Sequence, residues 1–383
     1  MIAGTAWACG ASPPPQTLAP LKVVARVDDA GHLRTDSYDA ALLLRRGLAA
    51  YERAEFLRAA AYFAQLVREF RRSRLVVPAR YNRALSLRRA GQRERAWQLW
   101  TAFIVRHPEA KQARQARFHL IDLALELDHS SVGLRHVQAL RHGTALSTLE
   151  RFQLRVAAAQ LSYREADCRA TEREARTALA WLRRQGGASS MAQAVQAARA
   201  QLHVAHCIRD AAEAVPILAQ SLAEQSASLD RRARLMLRAQ RGYFDTMGWQ
   251  HLSSTAAAGY AIGGMYRRFW DAIVTAEVPP DPDALQGQAR ALHVQAYRAR
   301  LKSLVLPLLK HAIRYWELTL ALLARHQPAP AEAQPPRAGT SRASVRRATP
   351  LLPDAVEGQL RHDLQQIKAQ VQEVEAQTKS AGP

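Results

Sequence analysis

Apolar residues return every three or four positions from about residue 38 to about residue 325, which is the period of an amphipathic α-helix. Alanine, leucine, arginine and glutamine dominate this stretch, and prolines are sparse in it. Before it, only Leu21 to Val27 has a β-like pattern, within a proline-rich start that reads as a tether without a core of its own. Asp36 or Ser37 is placed to cap the first helix, with Asp39 in its first turn. The pattern therefore predicts an all-α fold.

The helical region contains a repeat with a spacing of 37 residues. Residues 54–71 read AEFLRAAAYFAQLVREFR and residues 91–108 read GQRERAWQLWTAFIVRHP. Superposing Ala54 on Gly91 aligns a small residue with a small one, an aromatic with an aromatic, and places a helix-ending proline after the second segment. Each segment also follows an upstream helical stretch, so the repeat predicts two antiparallel helix pairs.

This pattern resembles the tetratricopeptide repeat, most specifically its bacterial cell-envelope form, in which an ending such as VRHPEAKQARQARFHL (105–120) follows the two helices. The match covers residues 41–127, and residues 161–184 are a weaker third unit with Ala166 and Ala175 as small contacts. The resemblance implies an α-solenoid of helical hairpins that holds a protein segment on its concave face. Because such proteins contact the bound segment through polar residues of the first helix in each pair, the resemblance also implies groove contacts at Asn82, Arg83 and Arg88.

Residues 256–325 carry a second resemblance, through AAAGYAIGGMYRRFWDAIVTAEVPP and LVLPLLKHAIRYWELTLALL. They are similar to the C-terminal part of large tetratricopeptide proteins found with gliding-motility and envelope-spanning complexes of Gram-negative bacteria. The resemblance implies a helix rich in small and aromatic residues, a proline-containing loop and two closing helices. It also implies a scaffold in the periplasm or at the outer membrane.

After a basic linker, an amphipathic helix is predicted near the C-terminus. Val356, Leu360, Leu364, Ile367, Val371 and Val374 form a short stripe with coiled-coil spacing. Residues 351–379 carry five acidic side chains against three basic ones. This acidic helix either docks back into the groove of the arginine-rich array, binds a partner or a second copy, or stays unfolded.

These readings divide the chain into six regions, namely an N-terminal anchor and tether (1–37), tetratricopeptide repeats (38–128), degenerate hairpins (129–241), a C-terminal helical region (242–326), a disordered linker (327–350) and a detached amphipathic helix (351–379).

The chain has a net charge of +21, and 48 of its 54 basic residues are arginine. Arginine recognises phosphate and carboxylate, but these charges are spread along the chain and interspersed with glutamate, which favours a solvated surface. Anionic lipid headgroups are a natural counter-charge if the protein lies in the envelope. The alternative is a basic cytoplasmic solenoid that regulates through nucleic acid or acidic protein partners.

The strongest candidate for chemistry is the segment LHVAHCIRD, which places His203, His206 and Cys207 on one face of a helix. Histidine and cysteine bind zinc, but no further ligand follows at a telling spacing, so a metal site is only a weak hypothesis. In an oxidising compartment Cys168 and Cys207 are an alternative disulfide pair. No phosphate loop or catalytic signature is present, so neither an enzyme nor a cofactor is expected.

The first residues, MIAGTAWACGASPPPQ, place alanine one and three positions before Cys9, followed by a glycine and a proline-rich stretch. This fits the late part of a lipoprotein export signal, although the basic start and apolar stretch of such a signal are missing. The hypothesis is that the native start codon lies upstream and that Cys9 is lipidated, anchoring the protein in the envelope. The alternative is a chance cysteine in a disordered start.

Overall fold

The structure is a computed structural model that describes residues 20–27, 33–143, 145–280, 286–326 and 354–380. These residues contain thirteen α-helices and one β-hairpin, and they divide into two compact units, residues 1–144 and 145–383. Consecutive helices pack as antiparallel pairs, so the predicted all-α fold of sequential hairpins is confirmed. Of the helices described, none is both long and apolar enough to cross a membrane.

The described part of the predicted N-terminal tether is structured. Strands β1 (Leu21–Val27) and β2 (Leu33–Asp39) form an antiparallel hairpin in which Lys22 pairs with Tyr38. Tyr38 is buried against the first helices, and its hydroxyl donates to the Glu69 carboxylate at 2.8 Å. Val24 of β1 packs against the same core cluster, so the prediction of a coreless tether was wrong for this strand. The capping prediction was also wrong, because Asp39 rather than Asp36 or Ser37 caps the first helix, accepting from the Leu42 amide at 2.7 Å.

Besides the β-hairpin, the first unit contains three helix pairs with a short turn inside each pair. The helices are α1 (Ala40–Glu52) and α2 (Phe56–Glu69), α3 (Val76–Arg89) and α4 (Arg93–Arg106), and α5 (Lys111–Glu126) and α6 (Ser130–Gly143).

The 37-residue register runs through all three pairs. Ala54, Gly91 and Asp128 occupy the same turn position with φ of 60°, 81° and 59°. In each turn the next residue donates its amide to a carbonyl five residues back, at 2.9 Å. The small position falls on Ala59, Ala96 and Gly133, and the large position on Phe63, Trp100 and Val137, all of them buried. The domain boundary predicted at residue 128 was therefore wrong, since that residue lies inside the third pair.

The second unit begins with the pair that carried the weaker repeat signal. Helices α7 (Thr148–Arg164) and α8 (Cys168–Arg184) meet at a turn in which Ala166 has a φ of 57°, the same left-handed conformation. Longer helices follow, namely α9 (Met191–Glu213), α10 (Leu222–Met247) and α11 (Leu252–Thr275).

The C-terminal helical region differs from the predicted two closing helices. A single α12 (Gly287–His326) of 40 residues runs through Pro307 and packs along α11. Gly259 and Gly263 of α11 allow this close approach, because a Cβ at either position would overlap Thr319 or Trp316 of α12. The small residues noted in the sequence are therefore packing positions.

The last helix, α13 (Asp354–Ser380), is not detached from the second unit. It packs against α12, and the part of its apolar stripe from Leu360 to Val374 is buried in one cluster with Trp270, Leu309, Ala312 and Trp316. Among the three possibilities left by the sequence, docking within the chain is the one that the structure shows. The docking site is formed by α11 and α12.

Candidate functional site

The first helices of the three pairs in the first unit are joined side by side through polar side chains. Arg89 of α3 donates from Nε to the Tyr51 hydroxyl of α1 at 3.2 Å. On the other flank, the Tyr81 hydroxyl of α3 lies 3.0 Å from Nε2 of His119 in α5. These bonds hold α1, α3 and α5 next to each other, and we call the surface that they share the first-helix surface.

Arg88 is the centre of this network. Its guanidinium donates to Nδ1 of His119 at 2.9 Å and forms ion pairs with Asp122 at 3.3 Å and Glu126 at 3.4 Å. Since arginine only donates, Nδ1 of His119 accepts and Nε2 carries the proton that faces Tyr81. Burial and the neighbouring Arg88 lower the pKa of His119 to about 4, so the ring is neutral near pH 7. Arg88 therefore bridges the second pair to the third.

The other two predicted groove residues have fewer fixed contacts. Asn82 and Arg83 are half-buried on α3. The backbone carbonyl of Asn82 accepts from the Ser86 hydroxyl at 2.8 Å, and Arg83 forms no hydrogen bond or ion pair within the part of the chain that the structure describes. All three predicted residues thus lie on the correct helix, and their role as partner contacts stays a prediction.

Other members of the first-helix surface were missed by sequence reasoning. The 37-residue offset makes Tyr51 equivalent to Arg88, and Leu48 equivalent to Leu85 and then Asp122. Leu48 is 42% exposed, and Arg45 and Asp122 are exposed as well. Extending the repeat one unit further along the sequence would have found the α5 residues. The surface therefore offers apolar, cationic and anionic groups at regular intervals.

A partly buried polar cluster lies in the second unit beside a disulfide bond between Cys168 and Cys207. Arg209 donates to Asp210 at 2.6 Å and to the Tyr163 hydroxyl at 3.1 Å. Burial alone would lower the pKa of Arg209, but the neighbouring Tyr243 and Asp210 raise it above its ordinary value. These contacts tie α7 to α9.

The weak metal candidates lie within this cluster but do not form a ligand set. The Cys207 sulfur is bonded to Cys168, and Nδ1 of His206 lies 2.8 Å from the Tyr243 hydroxyl. His203 packs its ring against Tyr163, with a centroid distance of 5.0 Å. Burial and the nearby Arg164 lower the pKa of His203 to about 4. The described residues contain no group of three or more histidine, cysteine or acidic side chains that could hold a metal ion.

A basic cavity of about 800 Å³ lies in the first unit, where the β-hairpin meets the loop between α2 and α3. Its acidic lining residues are already engaged, since Asp39 caps α1 and Glu69 binds Tyr38. Arg72 and Arg74 form no ion pair with any residue that the structure describes. The cationic side chains that line it are Lys22, Arg68, Arg71, Arg72 and Arg74.

The helix pairs and their 37-residue register define a helical repeat protein. The predicted lipidation site, Cys9, lies outside the residues that the structure describes. No protein-family model matches the chain, and no curated protein matches it. Among solved structures, it is similar to a tetratricopeptide repeat protein from Parabacteroides merdae ATCC 43184. That likeness has 14% identity and a TM-score of 0.39, over 74% of this chain and 93% of the other. At this level the likeness carries no argument about function.

Proposed function

We propose that this protein is a non-enzymatic scaffold of the bacterial cell envelope that holds a segment of a partner protein on the first-helix surface. The observation that carries the proposal is the side-by-side bonding of α1, α3 and α5 through Tyr51–Arg89 and Tyr81–His119. It fixes three helices in one array before any partner arrives, so binding does not require the scaffold to become ordered.

The composition of this surface favours a peptide or helix that carries both apolar and charged side chains. Leu48 and Leu85 are apolar, Arg89 is a cation and Asp122 is an anion, and all lie on first helices. This mixture of apolar, cationic and anionic groups suits a protein segment better than a nucleic-acid phosphate backbone, which needs a continuous positive surface.

The envelope location is supported by the bond between Cys168 and Cys207, because disulfides persist in the periplasm and are rare in the bacterial cytoplasm. The sequence around Cys9 supplies the proposed lipid anchor. The basic cavity next to the β-hairpin is a suitable place for contact with anionic lipid headgroups, since its arginines are in part without acidic partners.

Site-specific photo-crosslinking in the native host tests the scaffold proposal. A photoreactive residue at position 45 or 48 is expected to capture one defined protein, while the same group at Leu57, an exposed leucine on the second helix α2, does not. Equal capture from all three positions, or capture from none, would contradict a partner on the first-helix surface.

The location is tested separately by the intact mass of protein expressed from its native locus together with the upstream DNA. The expected result is a chain that starts at Cys9, carries added acyl mass and is found in the membrane fraction. An unmodified soluble chain that still begins at Met1 would refute the anchor and leave the basic cytoplasmic regulator as the better proposal.

A further inference from the structure

The connection between α12 and α13 differs from every other connection between consecutive described helices. Within the pairs of the first unit, turns of three residues join the helices, and 11 residues join α11 to α12. Residues 327–353, a stretch of 27 residues, separate α12 from α13. The composition of residues 327–350 predicts a linker between α12 and α13.

The contact between α13 and the unit has an apolar centre. Leu360 and Ile367 are fully buried, and Leu364, Val371 and Val374 are at most 9% exposed. They pack on Trp270 of α11 and on Leu309, Ala312 and Trp316 of α12. We call this receiving surface the α11–α12 groove.

Charged pairs surround this centre. Lys310 of α12 pairs with Glu375 at 2.8 Å, and Lys368 of α13 pairs with Glu317 of α12 at 2.6 Å. All four side chains are at least 41% exposed, so each pair lies at the solvent-exposed edge of the contact between α12 and α13. An apolar centre within a polar rim is the anatomy of an interface between proteins.

One acidic side chain of α13 reaches an arginine-lined cavity of about 550 Å³. Asp363 accepts from the Tyr260 hydroxyl at 3.2 Å and pairs with Arg267 at 3.5 Å, and its side chain is 15% exposed. Without Asp363, the charged groups of the lining would be Arg209, Arg267 and Arg268 against Asp271. Arg209 and Arg268 also pair with Glu213. Arg267 lies 4.0 Å from Asp271 and is the arginine that pairs with Asp363.

From these contacts we propose that the α11–α12 groove is a second binding site, which takes an acidic amphipathic helix of a partner protein. Helix α13 is its resident occupant and shows the chemistry of the ligand. That ligand has apolar residues at alternating steps of three and four, and a carboxylate one position before the second apolar residue. Because α13 belongs to the same chain, its effective concentration is high, so only a tight-binding partner displaces it. This site does not depend on the first-helix surface.

The first test asks whether α13 exchanges. A specific protease site is inserted between residues 327 and 353 of the full chain, and circular dichroism is recorded before and after cleavage. A fluorescent peptide of residues 354–380 is then added in excess, and its binding is followed by anisotropy together with release of the cleaved α13. We expect saturable exchange with the helical content of the rest of the chain unchanged.

Two peptide variants define the specificity. Leu364→Asp with Ile367→Asp places two charges in the buried stripe, and we expect affinity to fall at least a hundredfold. Gln365→Asp with Gln366→Asp places the same charges on the exposed face and is the matched control, for which we expect less than a threefold change. Asp363→Asn removes only the charge facing Arg267 and is expected to weaken binding about tenfold.

The second test identifies the occupant in the native host. A photoreactive residue replaces Lys310, which faces the rim, in a full chain carrying Leu364→Asp and Ile367→Asp to release α13. We expect capture of a partner protein that the native 354–380 peptide blocks and the doubly charged stripe peptide does not.

Several results would overturn the proposal. If α13 does not exchange after cleavage, or if cleavage unfolds the unit, then α13 is a permanent part of the fold. If the stripe substitutions leave the affinity of the peptide unchanged, the groove is not the binding site. If the released variant captures only a native copy of this chain expressed beside it, the occupant is an exchanged α13 rather than a partner helix.

Discussion

Gly263 of α11 lies directly beneath the indole ring of Trp316 of α12. The ring is so near that a Cβ on residue 263 would overlap it, with Cε2 only 2.8 Å away. The indole Nε1 donates to the Tyr260 carbonyl at 3.1 Å, so hydrogen bonding and packing fix the ring in place. Trp316 is 1% exposed and also contributes to the groove that receives α13.

We therefore expect Gly263→Ala to lower the free energy of unfolding by about 1–3 kcal/mol, because neither the helix backbone nor the buried ring can yield easily. Gly264→Ala is the control, since its Cβ would meet only the mobile end of Arg268 at 3.1 Å. We expect that variant to be neutral or to gain up to about 1 kcal/mol from helix propensity. Urea titration followed by circular dichroism measures both, and equal losses would contradict this packing.

The turn position shared by Ala54 and Gly91 gives opposite expectations for the two residues. A left-handed backbone is strained for alanine and relaxed for glycine. Ala54→Gly should raise the free energy of unfolding by about 1 kcal/mol, and Gly91→Ala should lower it by about the same amount. Nothing lies within 4 Å of a Cβ added at Gly91, so any loss there reflects the backbone alone. Thermal unfolding of the two variants checks the signs.

The bond between Cys168 and Cys207 joins residues 39 positions apart and ties α8 to α9. In the chain-entropy account, a loop of this length contributes about 4 kcal/mol, as an upper figure. We expect dithiothreitol to lower the melting temperature of the native protein. The Cys168→Ser, Cys207→Ser double variant should melt at the lower temperature with or without reductant. A native protein indifferent to reductant would argue against a disulfide in solution.

Stability should fall on mild acidification because desolvation keeps the half-buried His203 neutral in the folded protein. Its folded-state pKa of about 4 lies below the ordinary value of 6.5, so protons bind the unfolded chain more readily. The contribution is complete above about pH 6.5 and is lost as the pH falls toward 4. From pH 7 to pH 5 this one group should cost about 2 kcal/mol.

The control for this prediction is His203→Phe, which keeps an aromatic ring against Tyr163 and cannot titrate. The difference in free energy of unfolding between pH 7 and pH 5 should be smaller in the variant by about that 2 kcal/mol. His206 shifts in the same direction for the same main reason, burial, so some pH dependence will remain. Identical slopes for the two proteins would mean that the folded protein does not lower the pKa of His203.

The sequence by itself determined the helices and the first repeats. The aligned positions of Ala59 with Ala96 and Phe63 with Trp100 are contacts between neighbouring helices, and such local contacts leave a periodic signal. The sequence offered Cys168 and Cys207 only as an alternative disulfide pair on nearby predicted helices, and the structure joins them. Repetition also placed Asn82, Arg83 and Arg88 on the first helix of the second pair.

Only the tertiary structure decided the features that depend on residues distant in sequence. The third pair was hidden because Gly133 and Val137 fill the small and large positions with residues that carry little signature. The bonds of Arg88 to His119 and Asp122 cross between pairs, and no local pattern reveals them. The apolar stripe of α13 was visible in the sequence, but an amphipathic pattern indicates only that the apolar face is buried, not which residues bury it. The stripe packs on Trp270 and Trp316, and this receiving surface forms only when α11 and α12 pack together.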